Sequence, residues 1–292
     1  MTVFVLGLVV LSAALHVLWN TLVKTSVDKG SFACLTSLAA TLFLLPFFLL
    51  VRLMGPTGLG ASVFLYAGLA AVFEVLYVIF LFRAYDRADL SVVYPLSRGV
   101  APVVTLALSG WVLGDWVSVP RALSVCVVVL GVLGVALSVL PGPSGQGQGA
   151  GVGLALATGG AIAGYHLVDR QAMIMAGAPH PVEYLFLRHF FLAILVTLWV
   201  LLVLGRGRAM GREWRTNRGG VVIVGVCTPL AYLLIIWALK FGDVTSIAAG
   251  RNIGIFISTL VGALVLKERV TARRLVGAVV IAAGVIGLVA LN

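Results

Sequence analysis

Ten stretches of about twenty mostly apolar residues make up most of this chain, and they fix the solvent it folds in. In a bilayer core every backbone N–H and C=O must find its partner inside the protein, which favours helices. The segments lie at roughly 3–23, 32–53, 61–83, 91–111, 121–140, 151–168, 182–204, 220–240, 245–266 and 272–291. A soluble domain carries far more charge than the 10% found here, and the chain is 61% hydrophobic. The expected fold class is an all-α membrane protein with ten transmembrane helices. The first twenty residues have no basic leader and no small-residue cleavage site, so they read as the first span and not as a signal peptide.

The formal net charge is +10. In a membrane chain such an excess reflects loops that hold orientation, so nucleic acid is not an expected partner. Thirteen lysines and arginines fall after odd-numbered spans and four after even-numbered ones, a count that favours the odd loops in the cytosol and both termini outside. Cys34, Cys126 and Cys227 each lie in an apolar run without metal-like spacing, and read as small buried hydrophobes. No nucleophile elbow, phosphate-binding glycine loop or HExxH pattern occurs. No catalytic residue, metal site or cofactor is therefore expected, and the chain does not read as an enzyme.

The chain repeats itself. LGDWVS (113–118) resembles LKERVT (266–271), Arg121 falls opposite Arg274, and GVLG (131–134) opposite GVIG (284–287), all at an offset of 153 residues. The same offset places Arg98 opposite Arg251. One residue of slip upstream, AYDRADLS (84–91) matches ALKFGDVT (238–245). The unit is five spans long, and an odd number of spans inverts the second copy. The expected organisation is a first repeat over 1–140, a flexible linker over 141–150 containing PGPSGQGQG, and a second repeat over 151–292. Most connections are short, so successive helices are expected to be antiparallel neighbours. One longer connection, 205–220, carries five arginines. Gly110, Gly114, Gly131 and Gly134 are spaced for close helix packing.

Ten spans, the five-helix duplication, and an acidic residue after the fourth and ninth spans resemble the drug/metabolite transporter superfamily, and specifically its EamA-like branch. The resemblance covers essentially the whole chain. It implies an inverted-repeat bundle around a central cavity, with helices 1, 3, 4, 6, 8 and 9 around a solute and helices 5 and 10 at the periphery. Relatives move amino acids, nucleotide sugars, sugar phosphates, quaternary amines and other small metabolites. The ALHVLWN start resembles members associated with phosphonate utilisation. The first repeat has Asp115 where the family pattern more often has glutamate; its place at a helix end suggests a structural cap.

Arginine at the centre of a spanning helix costs about 2.5–3.5 kcal/mol on insertion scales, so it faces a cavity or a partner. Arg98, Arg188 and Arg251 lie inside spans; Glu74 is the acidic residue that does. Glu74 lies about thirteen residues before the turn near residue 87 and Arg98 about eleven after it, which sets them level on antiparallel neighbours at 1.5 Å per residue. A Glu74–Arg98 ion pair is expected. The position level with Arg251 is Pro229, so Arg251 has no carboxylate in sequence. Two readings stand. Either Arg251 bonds to carbonyls and holds a broken helix together, or the acid group of a solute completes its planar fork. Arg188 and His189 read as interfacial and structural, with arginine snorkelling to the surface.

Further polar candidates are His16, Trp19 and Asn20 on the first span, Tyr77 on the third, Tyr94 on the fourth, Tyr165 and His166 on the sixth, Tyr232 on the eighth, and Asn252 beside Arg251. Trp19-Asn20 are expected to correspond to Tyr165-His166 in the second repeat. His16, His166 or Glu74 could carry a proton. Three functions follow: a carrier of a small anion or zwitterion anchored by Arg251 and Arg98; a carrier of cationic or quaternary-amine solutes held in a tyrosine and tryptophan cage with Glu74 as counter-charge; and a membrane-embedded lipid enzyme. Alternating access, a bacterial inner membrane and a sufficient monomer complete the expectation.

Overall fold

The structure is a computed structural model. It describes residues 1–23, 26, 28–55, 58–87, 90–137, 148–264 and 271–291, with the side chains of 17–23, 90–92, 94–95, 136–137, 148, 258 and 261–264 outside that description. The described elements are α1 (Val3–Val23), α2 (Lys29–Met54), α3 (Ala61–Tyr85), α4 (Leu90–Leu113), α5 (Val119–Leu137), α6 (Gln148–Ile174), α7 (Pro181–Leu198), α8 (Gly207–Phe241), α9 (Val244–Gly250), α10 (Ile253–Leu264) and α11 (Ala272–Ala290). A π-helical turn, Trp199–Val203, extends α7. Seven described helices are long and apolar enough to cross a membrane, and three shorter apolar stretches, Val3–His16, Val119–Val135 and Val244–Ile257, account for the other spans. Leu42, Leu50, Leu65, Leu130 and Val276 all face outward, as a lipid-facing surface requires.

The boundaries follow local chemistry. Asp28 caps α2 by accepting from Ser31 N at 2.7 Å. His180 and Glu183 form a reciprocal capping box at α7, with Pro181 at its first position. Asp243 caps α9, and Thr271 caps α11. Gly114 has φ +68 and closes α4, so it serves a turn and not a helix contact. Within α8, Asn217 is non-helical (φ −134) and divides an arginine-rich first part from the apolar span.

The helices pack as two inverted five-helix repeats. The helix pair α3–α6 has a counterpart in α8–α1, α2–α8 in α7–α3, α4–α6 in α1 with α10, and α4–α5 in α10–α11. The pairs α5–α11 and α2–α7 are their own counterparts. Exchanging the halves therefore maps the packing onto itself. α5 and α11 meet at glycines: a Cβ on Gly131 would fall 2.7 Å from Ile281 N, and one on Gly284 2.8 Å from Val128 N. Backbones approach this closely only without side chains between them.

Chain neighbours are often not neighbours in space. α3 touches α4 at few points and packs instead on α6 and α7 of the other half. The expectation of antiparallel sequential pairs fails there, because two intertwined repeats bury more surface against each other than within themselves.

Candidate functional site

The ninth span is broken where the sequence places its arginine. α9 ends at Gly250, and the turn Arg251–Asn252 leads into α10. The ladder tightens there to three-residue bonds: Asn252 N donates to Ala249 O (3.0 Å), Gly254 N to Arg251 O (3.2 Å) and Ile255 N to Asn252 O (2.9 Å). Asp115 of the first repeat fixes the approach to this break. Its carboxylate accepts from Val244 N at 3.3 Å and from Arg170 Nε at 3.1 Å, so it caps α9 from the opposite half. Ser109 and Thr245 hydroxyls add a contact at 3.2 Å.

Arg251 then points into a small cavity lined by Ala13, His16, Arg98, Arg251, Asn252, Gly254 and Ile255. Its free volume is ≈ 10 Å³, about the room of one water molecule. Arg98 Nη2 donates to His16 Nε2 at 2.6 Å, and Arg251 Nη1 donates to His166 Nε2 at 2.7 Å. Guanidinium has donors and no acceptor, so each Nε2 must be the acceptor and each imidazole is neutral with its proton on Nδ1. His16 on α1 and His166 on α6 hold equivalent places, each on the arginine of its own half. This corrects the expectation that Trp19-Asn20 correspond to Tyr165-His166. The side chains of Trp19, Asn20 and Tyr94 lie outside the described residues. Asn252 is buried, and its Nδ2 donates to Arg98 O at 3.5 Å, tying the break to α4.

The expected Glu74–Arg98 pair is replaced by another. Arg188 Nη2 lies 2.9 Å from Glu74 Oε2, and Arg188 Nε lies 3.4 Å from Asp169 Oδ1. Both contacts are ion pairs by distance, but neither aligns as a hydrogen bond. The cause is the packing just described: α3 presents Glu74 to α7, not to α4. Arg188 is 1% exposed and does not snorkel to the interface. Asp169 accepts from Tyr184 Oη at 2.7 Å and from Tyr232 Oη. The Arg188 guanidinium stacks over Tyr232 at 4.2 Å and Tyr165 at 5.2 Å, and Arg251 lies over Tyr232 at 5.4 Å. Tyr77 meets Tyr165 edge-on at 6.3 Å. Tyr232 thus sits between the two arginines, joining the carboxylate cluster to the cavity.

Asp169 and Tyr184 were not legible as site residues. The apolar run of the sixth span ends at 168, which makes Asp169-Arg170 look like a boundary, whereas α6 continues to Ile174. The available signal was helical spacing: Asp169 lies one turn beyond Tyr165 and His166, on the same face. Glu74 is therefore not the only acid inside a span.

A family model described as the EamA-like transporter family matches residues 1–137 and 150–290. A comparison with curated proteins finds no match. A solved structure described only as the crystal structure of a protein superposes with TM-score 0.71 at 18% identity, over 99% of this chain and 97% of the other. At that identity the likeness establishes the fold alone.

Proposed function

Because this chain belongs to the EamA-like transporter family of the drug/metabolite transporter superfamily, we propose that its cargo is a small organic anion or zwitterion, such as an amino acid or an organophosphonate, carried by alternating access. It is a multi-pass membrane transporter; members of its family are transporters and not enzymes. The observation that carries the cargo reading is Arg251. It faces the cavity with a neutral imidazole as its hydrogen-bond partner, and among the described residues no carboxylate lies within salt-bridge distance of it. Arg98 lines the same cavity. Two guanidinium groups converging on one space form a receptor for carboxylate or phosphonate oxygens, whose paired acceptors match the planar fork.

The cationic alternative finds two rings of its cage already occupied. The faces of Tyr165 and Tyr232 carry Arg188 and Arg251, so a quaternary amine would have to displace protein cations first. Glu74 and Asp169 are likewise engaged with Arg188. For a zwitterion, Glu74 is the proposed partner of the amino group, which would have to compete with its 2.9 Å contact to Arg188.

Alternating access follows from inverted halves that rock about a site at their interface. A bacterial inner membrane is the proposed location, and one chain, with ten spans around the cavity, is proposed to suffice.

The test is thermal unfolding of purified protein against amino acids, organophosphonates, dicarboxylates and quaternary amines, in wild type and Arg251→Gln. A ligand at a hundred times its Kd stabilises by about 2.7 kcal/mol. An acid that stabilises wild type and not the variant supports the reading. Stabilisation by amines alone, equal in both proteins, overturns it.

A further inference from the structure

Both cavity arginines are held by histidine, a neutral acceptor, where a carboxylate would hold them more tightly. A carboxylate partner forms a charge-assisted pair, which a solute anion would have to break like for like. A neutral imidazole satisfies the guanidinium N–H through a hydrogen bond assisted by one charge only, without the ion-pair attraction that a carboxylate adds. The arrangement occurs twice, at 2.6 Å on Arg98 and 2.7 Å on Arg251, once in each repeat. The two histidines differ in one respect. His16 lines the cavity, and His166 does not and is 2% exposed. An anion entering between the guanidinium groups therefore meets His16 directly.

Resting on the anionic or zwitterionic reading above, we propose that His16 is the coupling-proton site of this transporter: its imidazole stands in for the cargo on Arg98, is displaced when the anion binds, and then takes up one proton. The balance is simple. Arg98 keeps its proton throughout; its hydrogen bond to His16 Nε2 breaks, and one to an anion oxygen forms. The freed Nε2 lone pair accepts a proton drawn from bulk solvent (from hydronium or a buffer acid) and relayed through water in the opened cavity, and the resulting imidazolium N–H donates to the same anion. One negative and one positive charge enter together, so no net charge is added to a low-dielectric interior, where unpaired charge is expensive.

The groups around His16 fit this sequence. Among the described residues, Arg98 on α4, bonded to it, and Arg251 at the α9–α10 break, lining the same cavity, are charged groups beside it. From α8, Tyr232 faces Arg251 across its ring, and Asn252 lines the cavity beside them. A proton on His16 without cargo would stand against two guanidinium groups, whereas an anion between them turns that encounter into an alternating row of charges. His166 holds Arg251 in place from outside the cavity and keeps its neutral form.

The experiment is calorimetric titration with glutamate, methylphosphonate and 2-aminoethylphosphonate, each in two buffers of different ionisation enthalpy, on wild type, His16→Gln and His166→Gln. Glutamine keeps an acceptor for arginine but cannot titrate. Wild type is expected to take up about one proton per anion bound, with affinity falling about tenfold per pH unit as pH rises above neutrality. His16→Gln is expected to bind without proton uptake and with a flat pH profile; His166→Gln keeps the linkage. Binding without proton uptake in wild type, or uptake unchanged in His16→Gln, overturns the coupling role and leaves the cargo reading intact. Absence of binding by every acid, in wild type and Arg251→Gln alike, overturns the cargo reading and this proposal with it. A second measurement needs no ligand: nitrogen NMR of the cargo-free protein at pH 7 should show His16 neutral with its proton on Nδ1, and an imidazolium there refutes the proposal.

Discussion

Replacing Asp169 by asparagine should destabilise the protein far more than replacing Glu74 by glutamine, although both carboxylates face the same arginine. Asp169 is fully buried, accepts from Tyr184 Oη and Tyr232 Oη, and lies 3.4 Å from the Arg188 guanidinium as an ion pair. An amide in its place has one acceptor oxygen for two tyrosine hydroxyls, so one hydroxyl meets an N–H, can only accept from it, and loses the acceptor for its own proton. It also removes the one of Arg188's two carboxylate partners that is as buried as Arg188 itself. Breaking a buried ion pair from one side costs about 3–5 kcal/mol, because the remaining charge stays desolvated. Glu74 is 20% exposed, and its short contact with Arg188 is not aligned as a hydrogen bond. Its loss leaves Arg188 with Asp169 and its two tyrosine faces, and should cost about 1 kcal/mol. The assay is intrinsic-fluorescence thermal unfolding in detergent at pH 7, with circular dichroism to confirm that helix content is unchanged. Asp169→Asn melting within a degree of wild type, or Glu74→Gln melting lower than Asp169→Asn, would refute the assignment of Asp169 as the anchor of Arg188.

Other outcomes follow from the same geometry. Gly284→Val places a Cβ 2.8 Å from Val128 N and 3.0 Å from Ser124 O, both backbone atoms, and should cost about 1–3 kcal/mol by thermal unfolding. Gly134→Ala meets Gly277 Cα at an ordinary 3.7 Å and should change stability by about 0.5 kcal/mol or less. Asp115→Asn weakens the hold on Arg170 and on Val244 N, so hydrogen exchange should rise in α9 before it rises in α11. Burial pushes the Asp28 carboxyl up, but hydrogen bonds from the Ser31 backbone and the Arg206 guanidinium outweigh it and hold the group below its ordinary value. A group depressed on folding contributes stability above its unfolded value and loses it as pH falls through the folded one. Asp28→Asn should therefore lower the melting temperature at pH 7, with the difference from wild type beginning to shrink below about pH 4 and disappearing only below the depressed folded-state value.

What the sequence determined by itself was the solvent and the plan. Ten apolar runs require a bilayer and therefore helices, and a constant offset between two halves of five spans requires inversion, since both consequences follow from counting residues along one chain. Arg98 and Arg251 were visible as a pair for the same reason: their offset is that of the repeat. Partner choice was not visible. Glu74 goes to Arg188 because α3 packs across the halves, and level height on consecutive helices says nothing about which helices touch. Asp169 stayed hidden because hydropathy marks where the apolar run stops and not where the hydrogen-bonded helix does. The two histidines acquired their meaning only when α1 was laid beside α4 and α6 beside the broken ninth span. A side chain's position along a helix is a property of sequence, but the atom it bonds is set by packing, and packing of two intertwined repeats is decided by the whole surface that each buries against the other.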